Sequence, residues 1–209
     1  MRGLAAALLA VPLVCAAQAV PRPDVKVGDS WTYRRMNYDA NQPGDIYTIS
    51  VVFAERGVIQ SVSLYGKKKG EVDTTYTTDW NAVSTAGRVF NPHRGWFRFP
   101  LRVGDTYKAF YEGIEPRKKQ SWRAEEEVKV VGWEEVLVPA GKFRALKVVS
   151  EGQYRRTDVF GSGTSRNVIW YVPEIKRWAK LTLESRPTSA GAKGKGRYAG
   201  EELVDYRLQ

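Results

Sequence analysis

The residues EEEVKVVGWEEVLVPAGKFRALKVVSEGQY, at positions 125–154, decide the fold class. Apolar and polar side chains alternate on both sides of a central turn, which is typical of two half-buried β-strands. Residues 125–138 and 143–154 therefore form the arms of a predicted hairpin, and residues 139–142 form its turn. In this turn Gly141 is expected to take a φ that other residues reach only with strain.

The same alternation recurs along the chain on both sides of this hairpin. Further strands are predicted at residues 30–38, 45–55, 57–65, 72–80, 106–112, 167–172, 177–186 and 202–208. Turn residues separate these segments at the spacing expected of an all-β sandwich or barrel. The sequence therefore predicts an all-β fold, in which roughly ten mostly antiparallel strands form a curved sheet closed as a sandwich or a half-open barrel.

The first 19 residues have the pattern of a secretory signal peptide. Arg2 precedes an apolar segment, and Ala17, Gln18 and Ala19 match a signal-peptidase site. Cleavage after Ala19 would leave residues 20–209 as a single all-β domain. The alternatives are a lipid-bearing Cys15 or an uncleaved anchor, although the apolar segment is about 14 residues long and a transmembrane helix needs roughly 20. No later segment is apolar enough to predict a transmembrane helix. The expected location is the periplasm or the exterior of a bacterium.

The counts of cysteine and histidine exclude several kinds of chemistry. The chain has one cysteine, within the signal segment, and one histidine, His93. A disulfide framework, a cysteine-based metal site and a multi-histidine metal centre are therefore excluded for the mature chain. No G-x-S-x-G motif accompanies His93, so a hydrolase is disfavoured and no catalytic residue, metal ligand or cofactor is assigned. The carboxylates at residues 125–127 are expected on solvated strand faces, because consecutive strand residues alternate between faces.

A short motif occurs twice in the mature chain. Residues 25–30 read VKVGDS and residues 101–106 read LRVGDT, and each precedes an aromatic-rich strand. Glycine permits a tight turn, and the aspartate can accept bonds from the backbone beyond it. A duplicated unit and the reuse of a favourable turn both explain this repeat.

Four sequence blocks resemble a known group of proteins. They are GDSWTYR at residues 28–34, FPLRVGDTY at 99–107, VPAGKFRALKV at 138–148 and IWYVPEIKRWAK at 169–180. In these blocks the chain is similar to uncharacterised secreted or periplasmic bacterial β-proteins that combine a VPAG turn with a later W-Y-x-P-E strand. The resemblance implies an exported β-fold, and it carries no catalytic pattern.

The chain is basic, with a formal net charge of +10. Lysine and arginine cluster at residues 67–69, 117–119 and 193–197, in predicted loops. Such clusters promote solubility, and they also suit an anionic envelope surface. Binding to nucleic acid is not expected, because the chain has an export signal and no nucleic-acid-binding motif.

Aromatic residues suggest where a ligand would bind. The chain has 7 Trp, 11 Tyr and 7 Phe, and several lie at predicted strand ends. Trp80, Trp96, Arg98, Trp170 and Tyr171 form the predicted site, in which the rings would hold the tail of a lipid or amphiphile and Arg98 its anionic head. The alternative is that these rings close the core.

These observations favour a non-enzymatic periplasmic or secreted protein that binds an apolar or amphiphilic ligand, or an envelope partner. A second hypothesis is a structural or assembly factor that acts through a sheet edge and the basic loops.

Overall fold

The computed structural model describes residues 19–65, 72–85, 87–188 and 196–209 of the chain. The expected signal segment lies outside the described residues, except for Ala19. The basic residues 67–69 and 193–195 also lie outside them.

Strands make up most of the described chain. Their bounds are β1 Ser30–Asn37, β2 Gln42–Glu55, β3 Val58–Tyr65, β4 Val72–Thr77, β5 Ala82–Thr85, β6 Arg88–Asn91, β7 Thr106–Glu115, β8 Gln120–Val138, β9 Gly141–Arg156, β10 Ser162–Val172, β11 Arg177–Pro187 and β12 Arg197–Arg207. Two 3-10 turns, Pro116–Lys118 and Pro173–Ile175, connect β7 to β8 and β10 to β11.

These strands form a closed antiparallel barrel. Each strand pairs with its neighbours in the chain, and β1 also pairs with β12. The described strands therefore leave no free sheet edge for a partner strand. The all-β prediction is confirmed, but the barrel is closed and has twelve strands within the described residues. The two additional strands, β5 and β6, have four residues each and are too short to show a clear alternation.

The barrel has two ends, which we call the capped end and the open end. The capped end is where β1 begins, and the open end is where β1 finishes. The connection between β6 and β7 covers the capped end, where Phe97 and Leu101 are buried. Val20 and Leu101 exchange backbone hydrogen bonds of 2.8 Å there, so the start of the described chain is fastened to this connection.

Arg177 is fully buried at the capped end, within an aromatic cage. Its guanidinium carbon lies 4.0 Å from the ring centroid of Trp178 and 4.3 Å from that of Trp80. Tyr76, Trp31 and Tyr33 complete the cage at 5.1, 5.2 and 5.9 Å. Because a buried cation is attracted to the face of an aromatic ring, the cation and the rings stabilise each other.

The repeated V-G-D motif adopts the same structure at both positions. Gly28 has a φ of 93° and Gly104 a φ of 95°. The Gly28 amide donates to the carbonyl of Val51 at 2.9 Å, and the Gly104 amide donates to that of Val130 at 2.8 Å. Val51 and Val130 then donate to the carbonyls of the two motif aspartates, at 2.9 Å each. Each turn thus fastens the start of one strand to the strand that follows it.

The predicted hairpin turn is also present, between the end of β8 and the start of β9. Gly141 has a φ of 130°, a region that favours glycine. The neighbouring Ala140 amide donates to the carbonyl of Leu203 at 3.0 Å, so the hairpin tip is held against β12.

Replacing Gly141 with valine is expected to lower the free energy of unfolding by about 1–2 kcal/mol, because β-branched residues resist positive φ. A Cβ atom here would meet no heavy atom of the described chain within 4 Å, so backbone strain is the whole cost. Urea denaturation of both proteins measures this difference. Lys142→Val is the control, since Lys142 is the next residue along β9 and its φ is not positive. Equal losses in the two variants would contradict the turn assignment.

Candidate functional site

The barrel interior contains two adjoining cavities, which we call the lumen. Their volumes are about 290 and 350 Å³. Six residues line both cavities, namely Arg88, Phe90, Arg94, Glu115, Leu183 and Arg197. The lumen is therefore one connected region, and it extends from the open end to Tyr76 and Trp178 of the aromatic cage.

One wall of the lumen is aromatic. The ring centroid of Phe90 lies 5.7 Å from that of Tyr111 and 6.2 Å from that of Trp122, both in edge-to-face geometry. Trp122 can lie flat across β7 because Gly113, its pairing partner, has no side chain. A Cβ atom on Gly113 would lie 2.2 Å from the indole ring of Trp122. Tyr154 and Leu183 extend this apolar wall.

A buried carboxylate lies behind the aromatic wall. Glu126 is 0% exposed and accepts hydrogen bonds from Tyr111 at 2.9 Å, Ser150 at 2.5 Å and Ser165 at 3.0 Å. A guanidinium nitrogen of Arg94 lies 3.7 Å from the same carboxylate. Burial raises the pKa of Tyr111, so its hydroxyl remains protonated and donates to Glu126. Three hydroxyl donors and one cation therefore compensate this buried charge.

Two buried polar groups of the smaller cavity have no hydrogen-bond partner in the described chain. They are Nε of Arg94 and Nδ2 of Asn167, a residue that is 2% exposed. Both residues line the smaller cavity. Both atoms are donors, and buried donors in proteins are almost always paired. An acceptor that enters the lumen, such as a carboxylate or phosphate oxygen, would satisfy them.

Arginine side chains surround the smaller cavity. Arg88, Arg94, Arg156 and Arg197 line it, against two acidic residues, Glu115 and Glu184. Glu115 pairs with Lys118 at 2.8 Å and with Arg88 at 3.0 Å. Lys118, together with Arg88, holds the pKa of Glu115 below its usual range.

Arg197 has no carboxylate within 4 Å in the described chain, so this cation is available to a ligand. It is exposed and lies at the mouth of both cavities.

The larger cavity is also lined by Arg35 and Glu201. Arg35 lies over the rings of Tyr47 and Tyr65, at 5.1 and 5.0 Å from their centroids. Glu201 accepts hydrogen bonds from Tyr47 and from the indole of Trp178, the latter at 2.6 Å. Burial and the neighbouring Glu201 raise the pKa of Tyr47, so it remains a neutral donor. Glu201 is satisfied by these contacts, whereas Arg35 is exposed, donates to the Tyr65 hydroxyl and lines the cavity.

Two of the five predicted ligand-binding residues lie in the core of the capped end. Trp80 belongs to the aromatic cage, and its indole donates to the carbonyl of Lys176 at 2.7 Å. Tyr171 packs against Phe97 and Phe99, with centroids 5.7 and 5.4 Å apart.

Of the other three predicted residues, Trp96 and Arg98 both contact Tyr107 on β7, whereas Trp170 contacts β8. Trp96 borders the larger cavity, with the guanidinium of Arg94 4.1 Å above its ring. Arg98 is exposed, lies over Tyr107 and donates to the carbonyl of Lys108 at 3.0 Å. Trp170 is half-buried and donates to Glu134. Of the five residues, Trp96 alone borders the lumen.

The sequence interpretation missed Glu126, Asn167 and Arg197. Glu126 was expected on a solvated face, and this expectation is wrong because the side chain is buried. The alternation of side chains along β8 identifies Glu126 as buried, because every second residue of a strand points to the same face. Ala124, Val128 and Val130 all point inward, so Glu126 does as well. A carboxylate at the inward position of an apolar strand indicates a buried polar site.

The described part of the chain has neither a metal-binding cluster nor a membrane-spanning helix. No group of three or more His, Cys, Asp or Glu side chains there is arranged to hold a metal ion. No helix there is long and apolar enough to cross a membrane.

The chain resembles solved structures in its fold. No family model matches it, and no curated protein matches it. A structure from Parabacteroides distasonis, named as a lipoprotein, aligns with a TM-score of 0.55 and 12% identity, over 91% of this chain and 100% of that chain. A structure from Bacteroides fragilis, named as an exported protein with a YmcC-like fold, aligns with a TM-score of 0.52 and 16% identity, over 91% and 100%. The barrel is thus a fold shared with known bacterial structures.

Proposed function

We propose that the protein is an exported component of the bacterial envelope that binds an amphiphile with an anionic head group in the lumen of its barrel. The signal-like residues 1–19 and the resemblance of the sequence blocks to secreted β-proteins support export. The names of the two structural neighbours, a lipoprotein and an exported protein, agree with this location.

The two unpaired donors in the smaller cavity, Arg94 Nε and Asn167 Nδ2, carry this proposal. They lie in a cavity that also has Arg197 at its mouth and an aromatic wall on one side. The head group would accept hydrogen bonds from these two donors and form an ion pair with Arg197, because charge-assisted hydrogen bonds to arginine are the strongest available there. The tail would lie along Phe90 and Trp122. The volume of the two cavities matches the range that small-molecule sites occupy.

The binding role requires no chemical step from the protein. Glu126 has its charge compensated by Arg94 and three hydroxyl groups, so it orients Arg94 through Nη2, while Nε has no partner in the described chain. The aromatic wall excludes water from the tail.

Titration with a dansylated undecanoic acid, a fluorescent fatty acid, tests the proposal. Wild-type protein is expected to raise the fluorescence of the probe. Arg197→Gln is expected to weaken binding about tenfold, because a hydrogen bond to a charged group contributes about 1.5–3 kcal/mol. Asn167→Leu is expected to weaken binding while the free energy of unfolding stays the same or rises, because it removes an unpaired buried amide.

Arg98→Gln is the matched control, since Arg98 is an exposed arginine outside the lumen. It is expected to leave probe affinity unchanged. Wild-type protein that does not bind the probe, or a loss of affinity in Arg98→Gln equal to that in Arg197→Gln, would contradict a site in the lumen.

A further inference from the structure

The loop between β9 and β10 presents two apolar side chains to solvent at the open end. Val159 is 56% exposed and Phe160 is 93% exposed. A phenylalanine is rarely so exposed without a partner, because burying its ring is strongly favourable. This pair, which we call the apolar tip, requires an explanation beyond the folding of the barrel.

The base of the apolar tip is fixed by hydrogen bonds. The Thr157 amide donates to the carbonyl of Ser121 at 2.9 Å, and the Ser121 amide donates to the Asp158 carboxylate at 3.2 Å. The Arg156 amide donates to the carbonyl of Gly161 at 2.8 Å, which closes the loop. Arg156 also pairs with Asp158 and holds the pKa of that carboxyl below its usual range. The loop is therefore held in a geometry that keeps the apolar tip outside the barrel.

Cations lie beside the apolar tip at the same end of the barrel. Arg117 and Lys119 are exposed in the turn that precedes β8. They lie within four residues of Ser121, the residue of β8 that anchors the tip. Arg155, at the end of β9, is also exposed. Within the described chain none of these three has a carboxylate within 4 Å. Asp158, the acidic residue nearest in the loop, is already paired with Arg156.

We propose that the open end docks on the surface of an anionic phospholipid bilayer. Val159 and Phe160 would enter the interfacial region, where aromatic and aliphatic side chains gain free energy from burial. Arg117, Lys119 and Arg155 would face the anionic head groups, each contributing about 1 kcal/mol near such a surface. The apolar tip suits the acyl-chain boundary of the bilayer, and the three cations suit the layer of anionic head groups that covers it.

This docking surface is separate from the lumen site and does not depend on it. It does, however, turn the mouth of the lumen toward the bilayer, because Arg197 and Arg156 border both the cavity and the open end. An amphiphile could then pass between the membrane and the lumen without crossing bulk water.

Sedimentation with lipid vesicles tests the docking surface. Wild-type protein is expected to bind vesicles of phosphatidylcholine mixed with phosphatidylglycerol, and salt is expected to weaken binding because it screens the cations. The double variant Val159→Ser, Phe160→Ser is expected to reduce the partition coefficient about tenfold or more. The double variant Arg117→Gln, Lys119→Gln is expected to reduce it at low salt and to flatten the salt dependence.

Leu137→Ser is the matched control. Leu137 is 78% exposed but lies near the hairpin turn at the capped end, so this change is expected to leave vesicle binding unchanged. Equal binding by wild type and the Val159, Phe160 variant would overturn the proposal. Equal binding to vesicles of pure phosphatidylcholine would overturn the proposed role of the cations. If the protein self-associates without vesicles and the Val159, Phe160 variant does not, the tip binds a second copy of the chain and the proposal is overturned.

Discussion

Replacing Gly152 with alanine is expected to lower the free energy of unfolding by about 3 kcal/mol, since forcing an extra carbon into a packed interior costs about 1–3 kcal/mol and occasionally more. Gly152 lies opposite Glu126 in the register of β8 and β9. A Cβ atom at this position would lie 1.9 Å from the carbonyl oxygen of Glu125 and 2.6 Å from Cα of Glu126. These are backbone atoms, so a side-chain rotation cannot relieve the clash. The strands must separate, and the buried carboxylate of Glu126 then loses its donors.

Urea denaturation measures the effect, and Gly44→Ala is the control. Gly44 also lies in a strand, but the nearest atom to its Cβ would be Cβ of Arg35, at 3.3 Å. The expected cost there is below about 1 kcal/mol, because a neighbouring side chain can shift by a few tenths of an ångström. Similar losses in both variants would show that the close approach of β8 and β9 at Gly152 is not needed for stability.

Replacing Arg177 with alanine is expected to cost about 3–5 kcal/mol of unfolding free energy, the cost of truncating a large buried side chain. The change leaves a void among five aromatic rings and removes the cation that lies 4.0 Å from Trp178. It also removes the donor to the Tyr76 hydroxyl at 3.2 Å. Thermal unfolding followed by near-ultraviolet circular dichroism reports both the stability and the order of the tryptophan rings.

Arg177→Met separates volume from charge. Methionine fills most of the space and removes Nε and Nη1, which have no partner in the described chain, so the expected loss is smaller, about 1–2 kcal/mol, and comes from the cation–π contacts. A methionine variant as stable as wild type would show that volume alone matters. An alanine variant within 1 kcal/mol of wild type, where a loss of about 3–5 kcal/mol is expected, would contradict the role of the cage itself.

The alternation of side chains was sufficient to predict the fold class and most of the strands. Long strands such as β8 and β9 repeat the pattern many times, and the turn before Gly141 marks where the chain reverses. Closure of the barrel could not be read from the sequence, because β1 and β12 pair across nearly the whole chain and no local signal encodes that contact. The short strands β5 and β6 were missed because two inward positions are too few to define a period.

The candidate site was only partly accessible to sequence interpretation. The aromatic residues were recognised as important, but a ring that fills a core and a ring that lines a cavity have the same local pattern. Trp80 and Trp96 illustrate this, since one lies in the cage and the other beside the lumen. Arg94, Asn167 and Arg197 come from three separate segments, and only the closed barrel brings them to one cavity.

The seam between β1 and β12 has a consequence for the order in which the protein folds. Asp29, before β1, accepts a bond from the Gln209 amide at 2.7 Å across a separation of 180 residues, and it also pairs with Lys176 at 3.0 Å. Because the chain is synthesised from its N-terminus, one side of β1 stays unpaired until β12 has been made. Closure of the ring is therefore a late, non-local and slow event.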